Sequence, residues 1–132
     1  MMIFESENGV HYKKIKKNDL ENHLRTIDGS SNSYAILEKE DGSYMQVGGG
    51  PIKFTVEVRK YFSSSDFTHR KAIQKDSASS GTMKIIISGS LVEVQTNQVM
   101  NLETVILLFK SFLEGEDFPT TVEWDDMTNM FK

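Results

Sequence analysis

Apolar and polar residues alternate with a period of two along the middle of the chain. The clearest run covers residues 52–62, where Phe54, Val56 and Val58 are apolar and the residues between them are polar. Such alternation predicts an antiparallel strand with one face on the core and one polar face. Further strands are predicted at residues 67–75 and 120–124. Much of the chain is therefore predicted to be sheet.

Two glycine-containing turn sequences, Asp41-Gly42 and Gly89-Ser90, each lie between two apolar runs. The runs cover residues 34–39, 43–47, 82–88 and 91–96. Because Gly and Asp tolerate the positive φ values of tight turns, each pattern predicts a β-hairpin. The polar stretch at residues 76–82 predicts a connecting loop.

Two segments have the three- and four-residue spacing of apolar side chains that is typical of an amphipathic helix. Leu20, Leu24 and Ile27 follow a good N-cap residue at position 18 or 19 and predict a short helix ending near residues 28–29. A longer helix is predicted from Asn101 to a stop at Gly115. The predicted fold is α+β: a mostly antiparallel sheet of about five to seven strands, with two helices, one N-terminal and one near the C-terminus, packed on one face.

The composition limits the size and class of the protein. With 132 residues, the chain is predicted to be a single domain over residues 1–132. The absence of cysteine excludes disulfides, thiolate metal sites and a cysteine nucleophile. No apolar stretch approaches the roughly 18 residues of a membrane-spanning helix, and Glu5 and Glu7 stand where a signal peptide would be basic. We therefore expect a cytoplasmic protein that does not bind a membrane.

Charge is distributed unevenly along the chain. The net charge of −4 has the wrong sign for nucleic-acid binding driven by electrostatics. The segment 114–126 has no basic residue and six carboxylates: Glu114, Glu116, Asp117, Glu123, Asp125 and Asp126. Such a segment is either a solubilising tail or a surface that attracts a basic partner. We hypothesise that all of these carboxylates except Glu114 face a protein partner, with Trp124 partly supporting that surface.

Candidate catalytic and cofactor motifs are weak. The glycines at 48–50 precede a strand rather than a helix, which does not fit a phosphate loop, and the three histidines lack zinc-binding spacing. His69 and Glu57 would make an acid–base pair if they met, but the sequence does not fix their distance. The alternative is that Glu57 serves the fold by pairing with Arg59 or with a neighbouring strand. No catalytic residue, cofactor site or metal site is predicted.

The order of these elements resembles the Imm-type immunity proteins of bacterial polymorphic toxin systems. The resemblance covers about residues 20–124 and rests on a Gly-rich hairpin with Tyr44 and Gly49, a strand with Glu57, a penultimate strand through residues 96–97 that leads into a helix, and a closing strand with Trp124. It implies a cytoplasmic protein, not an enzyme, that binds and neutralises a cognate toxin domain by occluding its active or substrate-binding surface.

Two other classes of function stay open. The first is a small ligand-binding protein or enzyme, for which we would expect a closed pocket joining Glu57, His69 and Tyr44. The second is a regulatory interaction domain without a toxin partner. An exposed edge strand would make a symmetric dimer physically reasonable.

Overall fold

The computed structural model describes residues 2–75 and 81–131, and this part of the chain forms an α+β fold. The elements are β1 (Met2–Ser6), β2 (His11–Tyr12), α1 (Lys17–Leu24), β3 (Tyr34–Lys39), β4 (Tyr44–Gly49), β5 (Phe54–Tyr61), β6 (Phe67–Gln74), β7 (Thr82–Ile87), β8 (Ser90–Gln95), α2 (Leu102–Glu114) and β9 (Val122–Asp126). Two short 3-10 helices cover Thr96–Gln98 and Thr128–Phe131. None of the described helices is both long and apolar enough to cross a membrane.

Seven of the described strands form one antiparallel sheet in the order β2-β1-β3-β4-β5-β6-β9. The remaining two, β7 and β8, pair only with each other. The predicted α+β class is confirmed, as is a mostly antiparallel sheet with two helices. Strand β9 stands at one edge of the sheet, which sets the position of the acidic C-terminal segment.

Both helices contribute to a core on one face of the sheet. Phe4, Leu37, Met45 and Val58 lie opposite one another across four strands and are all buried. They belong to the same apolar cluster as the α1 and α2 side chains Leu20, Leu24, Val105, Phe109 and Phe112. Burying each such side chain contributes about 1.5–3 kcal/mol, so this layer is the main source of stability.

The other side of the sheet is polar, and we call it the open face. One row across it contains Ile36, Gln46, Glu57, Lys71 and Asp125. The next row contains Glu38, Tyr44, Arg59 and His69. Directly opposed residues on antiparallel strands project to the same side, so these side chains share one surface.

The β7–β8 hairpin docks on one end of the open face. Ile87 packs directly on Gly48, where an added Cβ atom would lie only 2.5 Å from the Ile87 Cδ1 atom. The Ser88 N–H donates to the Ser33 hydroxyl at 2.7 Å, and that hydroxyl donates to the Glu7 carboxylate at 2.6 Å. A larger residue at position 48 would therefore force the Ile87 side chain to move.

Helix α2 begins and ends where the sequence predicts, whereas both ends of helix α1 differ from the prediction. Asn101 caps α2 by accepting the Thr104 N–H at 2.8 Å, and Gly115 ends it with a φ of 71°. Helix α1 begins at Lys17 without a side-chain cap and ends at Leu24. The prediction that it reaches residues 28–29 is wrong because the N–H groups of Thr26 and Ile27 bond to carbonyls three residues back instead of four, which ends the α-helix. The Asp28 carboxylate then accepts the N–H groups of residues 30 and 32 and turns the chain.

Several strand boundaries also differ from the predictions. Strand β9 extends to Asp126, and residues 96–97 form a 3-10 helix rather than a strand. The second hairpin turns at Ser88-Gly89, whose φ values are 52° and 78°, one residue earlier than predicted. The N-terminal strands β1 and β2 were not predicted. The loop expected at residues 76–82 falls largely outside the described residues.

Candidate functional site

Three charged or polar side chains on the open face are joined in a line. The Glu57 Oε1 atom lies 2.6 Å from Nε2 of His69, and the Arg59 Nε–H donates to Nδ1 of His69 at 3.1 Å. Arg59 and His69 are direct partners between β5 and β6. The structure thus brings together the predicted pair of Glu57 and His69, and Glu57 bonds to the neighbouring strand rather than to Arg59.

The hydrogen bonds determine the tautomer of His69. A guanidinium group can only donate, so Nδ1 of His69 accepts and carries no proton. The proton of the neutral imidazole is therefore on Nε2, from where it is donated to the Glu57 carboxylate. The ring links a cation to an anion and ties β5 to β6.

Aromatic rings enclose this line of side chains. His69 is 1% exposed, and its ring centroid lies 4.3 Å from that of Phe131. The Arg59 guanidinium carbon lies 4.2 Å from the Phe67 ring centroid and 4.7 Å from that of Phe131. Both ring nitrogens of His69 are engaged and the ring is covered, so no ring nitrogen is left for a substrate. The cluster holds the C-terminal 3-10 helix on the sheet.

Tyr44 stands beside this cluster on β4. Its ring centroid lies 6.2 Å from that of His69 and 5.6 Å from the Arg59 guanidinium carbon. Burial raises the pKa of the Tyr44 hydroxyl, while the positive charge of Arg59 acts in the opposite direction. The hydroxyl therefore remains a neutral hydrogen-bonding group.

A pocket of about 260 Å³ lies between the docked hairpin and the sheet. Its main side chains come from β3, β4, β5 and β7: Tyr34, Ile36, Gln46, Thr55, Glu57 and Ile87. Glu57 thus touches both the pocket and His69, whereas Tyr44 and His69 are not part of the lining. This pocket is therefore not the one expected, which would join Glu57, His69 and Tyr44.

Strand β9 divides the acidic C-terminal segment between two faces. Glu123 and Asp125 lie on the open face, in register with residues 73 and 71 of β6. Trp124 and Asp126 lie on the helix side, where the Trp124 ring packs 4.9 Å from that of Phe118. Glu116 and Asp117 are exposed in the connection before β9. The carboxylates predicted to face a partner therefore do not share one face, but lie on both sides of the sheet along its β9 edge.

We call Glu116, Asp117, Glu123, Asp125 and Asp126 the acidic edge. All five residues are exposed. Within the described part of the chain, none of the first four forms an ion pair, whereas Glu114 lies 3.9 Å from the Lys17 ammonium. Asp126 accepts the Thr128 N–H at 2.9 Å. Four of these carboxylates, Glu116, Asp117, Glu123 and Asp125, therefore face the solvent without an ion pair among the described residues, and Lys71 lies directly across from Asp125.

Two exposed apolar side chains follow the acidic edge, and the sequence analysis did not single them out. Met130 is 73% exposed and Phe131 is 46% exposed. The contact between Phe131 and His69 places this segment over the open face. The sequence gives one indication of this surface, namely a methionine and a phenylalanine close together in the polar segment after β9. Methionine and aromatic residues are enriched in protein interfaces.

The four residues that carry the family resemblance do not form one site. Tyr44 and Glu57 lie on the open face, while Trp124 lies on the other side of the sheet. Gly49 has a φ of 107°, and an added Cβ atom would lie 2.5 Å from the backbone oxygen of Lys53. Gly49 is therefore required by the backbone rather than by a ligand.

Comparison of the chain with protein-family models and with curated proteins gives no match. The resemblance to Imm-type immunity proteins stays a prediction.

Proposed function

We propose that this chain is an immunity protein that binds a cognate bacterial toxin domain in the cytoplasm and occludes its active or substrate-binding surface. The observation that carries the proposal is the acidic edge, whose carboxylates Glu116, Asp117, Glu123 and Asp125 are exposed and have no ion-pair partner among the described residues. A surface of this kind favours a basic protein partner. It suits toxin domains whose clefts bind phosphate-containing substrates, because such clefts are basic.

Electrostatic attraction supplies only part of the binding free energy that a neutralising complex needs. A nanomolar complex corresponds to about −12 kcal/mol, and most of that free energy comes from a few desolvated anchor residues. Met130 and Phe131 are exposed apolar candidates for such anchors. Trp124 supports the same edge from the helix side by packing on Phe118. In this proposal the carboxylates set the association rate and the apolar side chains set the lifetime of the complex.

The arrangement of Glu57, Arg59 and His69 favours a protein that occludes its partner over one that catalyses a reaction. The proposed protein is not an enzyme: the strongest acid–base candidate, His69, is 1% exposed and bonded through both ring nitrogens. The cluster instead fixes the segment that contains Met130 and Phe131 on the open face. A preorganised surface of this kind loses less conformational entropy when a partner binds.

The experiment reverses the charge of the open-face carboxylates with Glu123→Lys and Asp125→Lys and measures binding to the product of the neighbouring gene, the proposed toxin. We expect the association rate at low salt to fall about tenfold or more, with a weaker salt dependence. The matched control is Glu103→Lys with Glu114→Lys, which changes the net charge equally on the helix layer. The control disrupts only exposed ion pairs with Arg25 and Lys17, each worth about 0–1 kcal/mol. Equal effects of the two double variants would contradict the assignment of the acidic edge.

A further inference from the structure

The pocket between β7 and the sheet contains polar groups that the fold does not use. Thr55 is 4% exposed, its side chain lines the pocket, and its hydroxyl has no hydrogen bond to any described residue. The Gln46 amide also lines the pocket without a hydrogen bond in the described part of the chain. Both groups are open to the pocket, so a ligand with matching donors can bond to them, and a hydrogen bond of this kind contributes about 0.5–1.5 kcal/mol.

The charge of the pocket is set by Glu57. Among the described residues that line the pocket, Glu57 is the only carboxylate, and none of them has a basic side chain. Its Oε1 atom accepts from His69, while its Oε2 atom has no hydrogen bond among the described residues. The neighbouring Lys71 belongs to β6, which contributes no residue to the lining, and forms no ion pair with Glu57. The pocket therefore offers a negative charge with one oxygen available.

These acceptors match the donors of a primary ammonium group. An ammonium has three N–H donors and no acceptor, and the pocket offers a carboxylate oxygen, a hydroxyl and an amide oxygen. Guanidinium fits less well, because it carries five N–H donors and the pocket offers only the three acceptor groups named above among the described residues. Ile36, Ile87 and the Tyr34 ring supply an apolar wall for a hydrocarbon stem.

We propose that this pocket binds a primary ammonium group on an apolar stem, and that its natural occupant is a lysine side chain of the partner protein. Recognition of the ammonium follows from the pocket itself. The assignment to a partner's lysine rests on the proposed function, because a toxin domain with a basic surface provides such side chains. The inserted lysine would anchor the partner on the open face next to the acidic edge.

The test uses two probes, n-butylammonium and the terminally blocked tripeptide acetyl-Gly-Lys-Gly-amide, titrated into the isotope-labelled protein and followed by NMR. We expect saturable chemical-shift changes at the backbone amides of Gln46, Gly48 and Thr55 with both probes. Butanol, which has the same stem without the charge, should give no saturable change at these amides. Absence of localised changes with butylammonium, or equal changes with butanol, would overturn the proposal. Binding of butylammonium but not of the peptide would overturn the lysine side chain as the occupant.

Variants locate the binding to the pocket. Thr55→Val removes the unpaired hydroxyl with little change of shape, and we expect about a fivefold loss of affinity. Glu57→Gln should lower the affinity for both probes by more than Thr55→Val does. Because it also changes the contact with His69, Thr55→Val is the decisive variant. Thr68→Val on the adjacent strand is the matched control, because Thr68 lies on the helix side of the sheet. Unchanged affinity in Thr55→Val would contradict the assignment. Because both probes are small, these outcomes are independent of whether a toxin domain is neutralised.

Discussion

Replacing His69 with leucine tests the energetic role of the buried line formed by Glu57, His69 and Arg59. The variant keeps a side chain of comparable size but removes two hydrogen bonds to charged groups, at 2.6 and 3.1 Å. Such bonds contribute about 1.5–3 kcal/mol each. The Glu57 side chain is 22% exposed, so water replaces part of the lost interaction. We therefore expect the free energy of unfolding to fall by about 2–3 kcal/mol in total, equivalent to a Tm lower by about 8–12 °C for a chain of this length.

Urea unfolding followed by tryptophan fluorescence measures this loss, and His11→Leu is the matched control. His11 also contacts a carboxylate, Glu5, at 3.0 Å, but the two side chains are 49% and 58% exposed. Exposed pairs contribute about 0–1 kcal/mol, so the control should lose less than about 0.5 kcal/mol. A loss below about 1 kcal/mol in His69→Leu, or equal losses in both variants, would refute the structural role assigned to the buried histidine.

Three further predictions concern a helix cap, an ionisation and a glycine. Asn101→Ala removes the cap that accepts the Thr104 N–H and should lower the free energy of unfolding by about 1 kcal/mol, measured by denaturant unfolding. Because burial raises the pKa of Tyr44 above its unfolded value of about 10, its contribution to stability is present below that pH and is lost as the pH rises through the folded pKa. Tyr44→Phe should therefore reduce the loss of stability at alkaline pH, measured as the unfolding midpoint against pH. Gly48→Ala introduces a clash with Ile87 and should cost about 1–3 kcal/mol, part of which Ile87→Ala should restore in a double-mutant cycle.

The fold class was predictable because the strongest patterns are local. The alternation through β5, the Asp41-Gly42 hairpin and the apolar stripe of α2 with its Asn101 cap each lie within a short window of sequence. The missed elements depend on distant contacts. Strand β2 has only two residues and exists because it pairs with β1. The end of α1 is a local change instead: the N–H groups of Thr26 and Ile27 bond three residues back, which a periodicity of apolar residues does not reveal.

The candidate site was less predictable because it depends on register between strands. Glu57 meets His69 only because Arg59 pairs directly with His69, and a shift of one residue would place these side chains on opposite faces. Successive side chains of a strand point to opposite faces, so Glu123 and Asp125 of β9 lie on the open face while Trp124 and Asp126 lie on the helix side. The pocket requires Ile87 of a separate hairpin to pack on Gly48, a contact between residues far apart in the sequence.

Co-expression of this chain with the product of the neighbouring gene, which we propose to contain its toxin domain, tests the proposed function most directly. Cell survival and co-purification of the two proteins are scored together, for the natural chain and for the Glu123→Lys, Asp125→Lys double variant. We predict rescue of growth and a stable complex with the natural chain, with both weakened in the double variant. Undiminished toxicity, with no complex formed by a folded natural chain, would contradict the proposal that this protein neutralises that toxin.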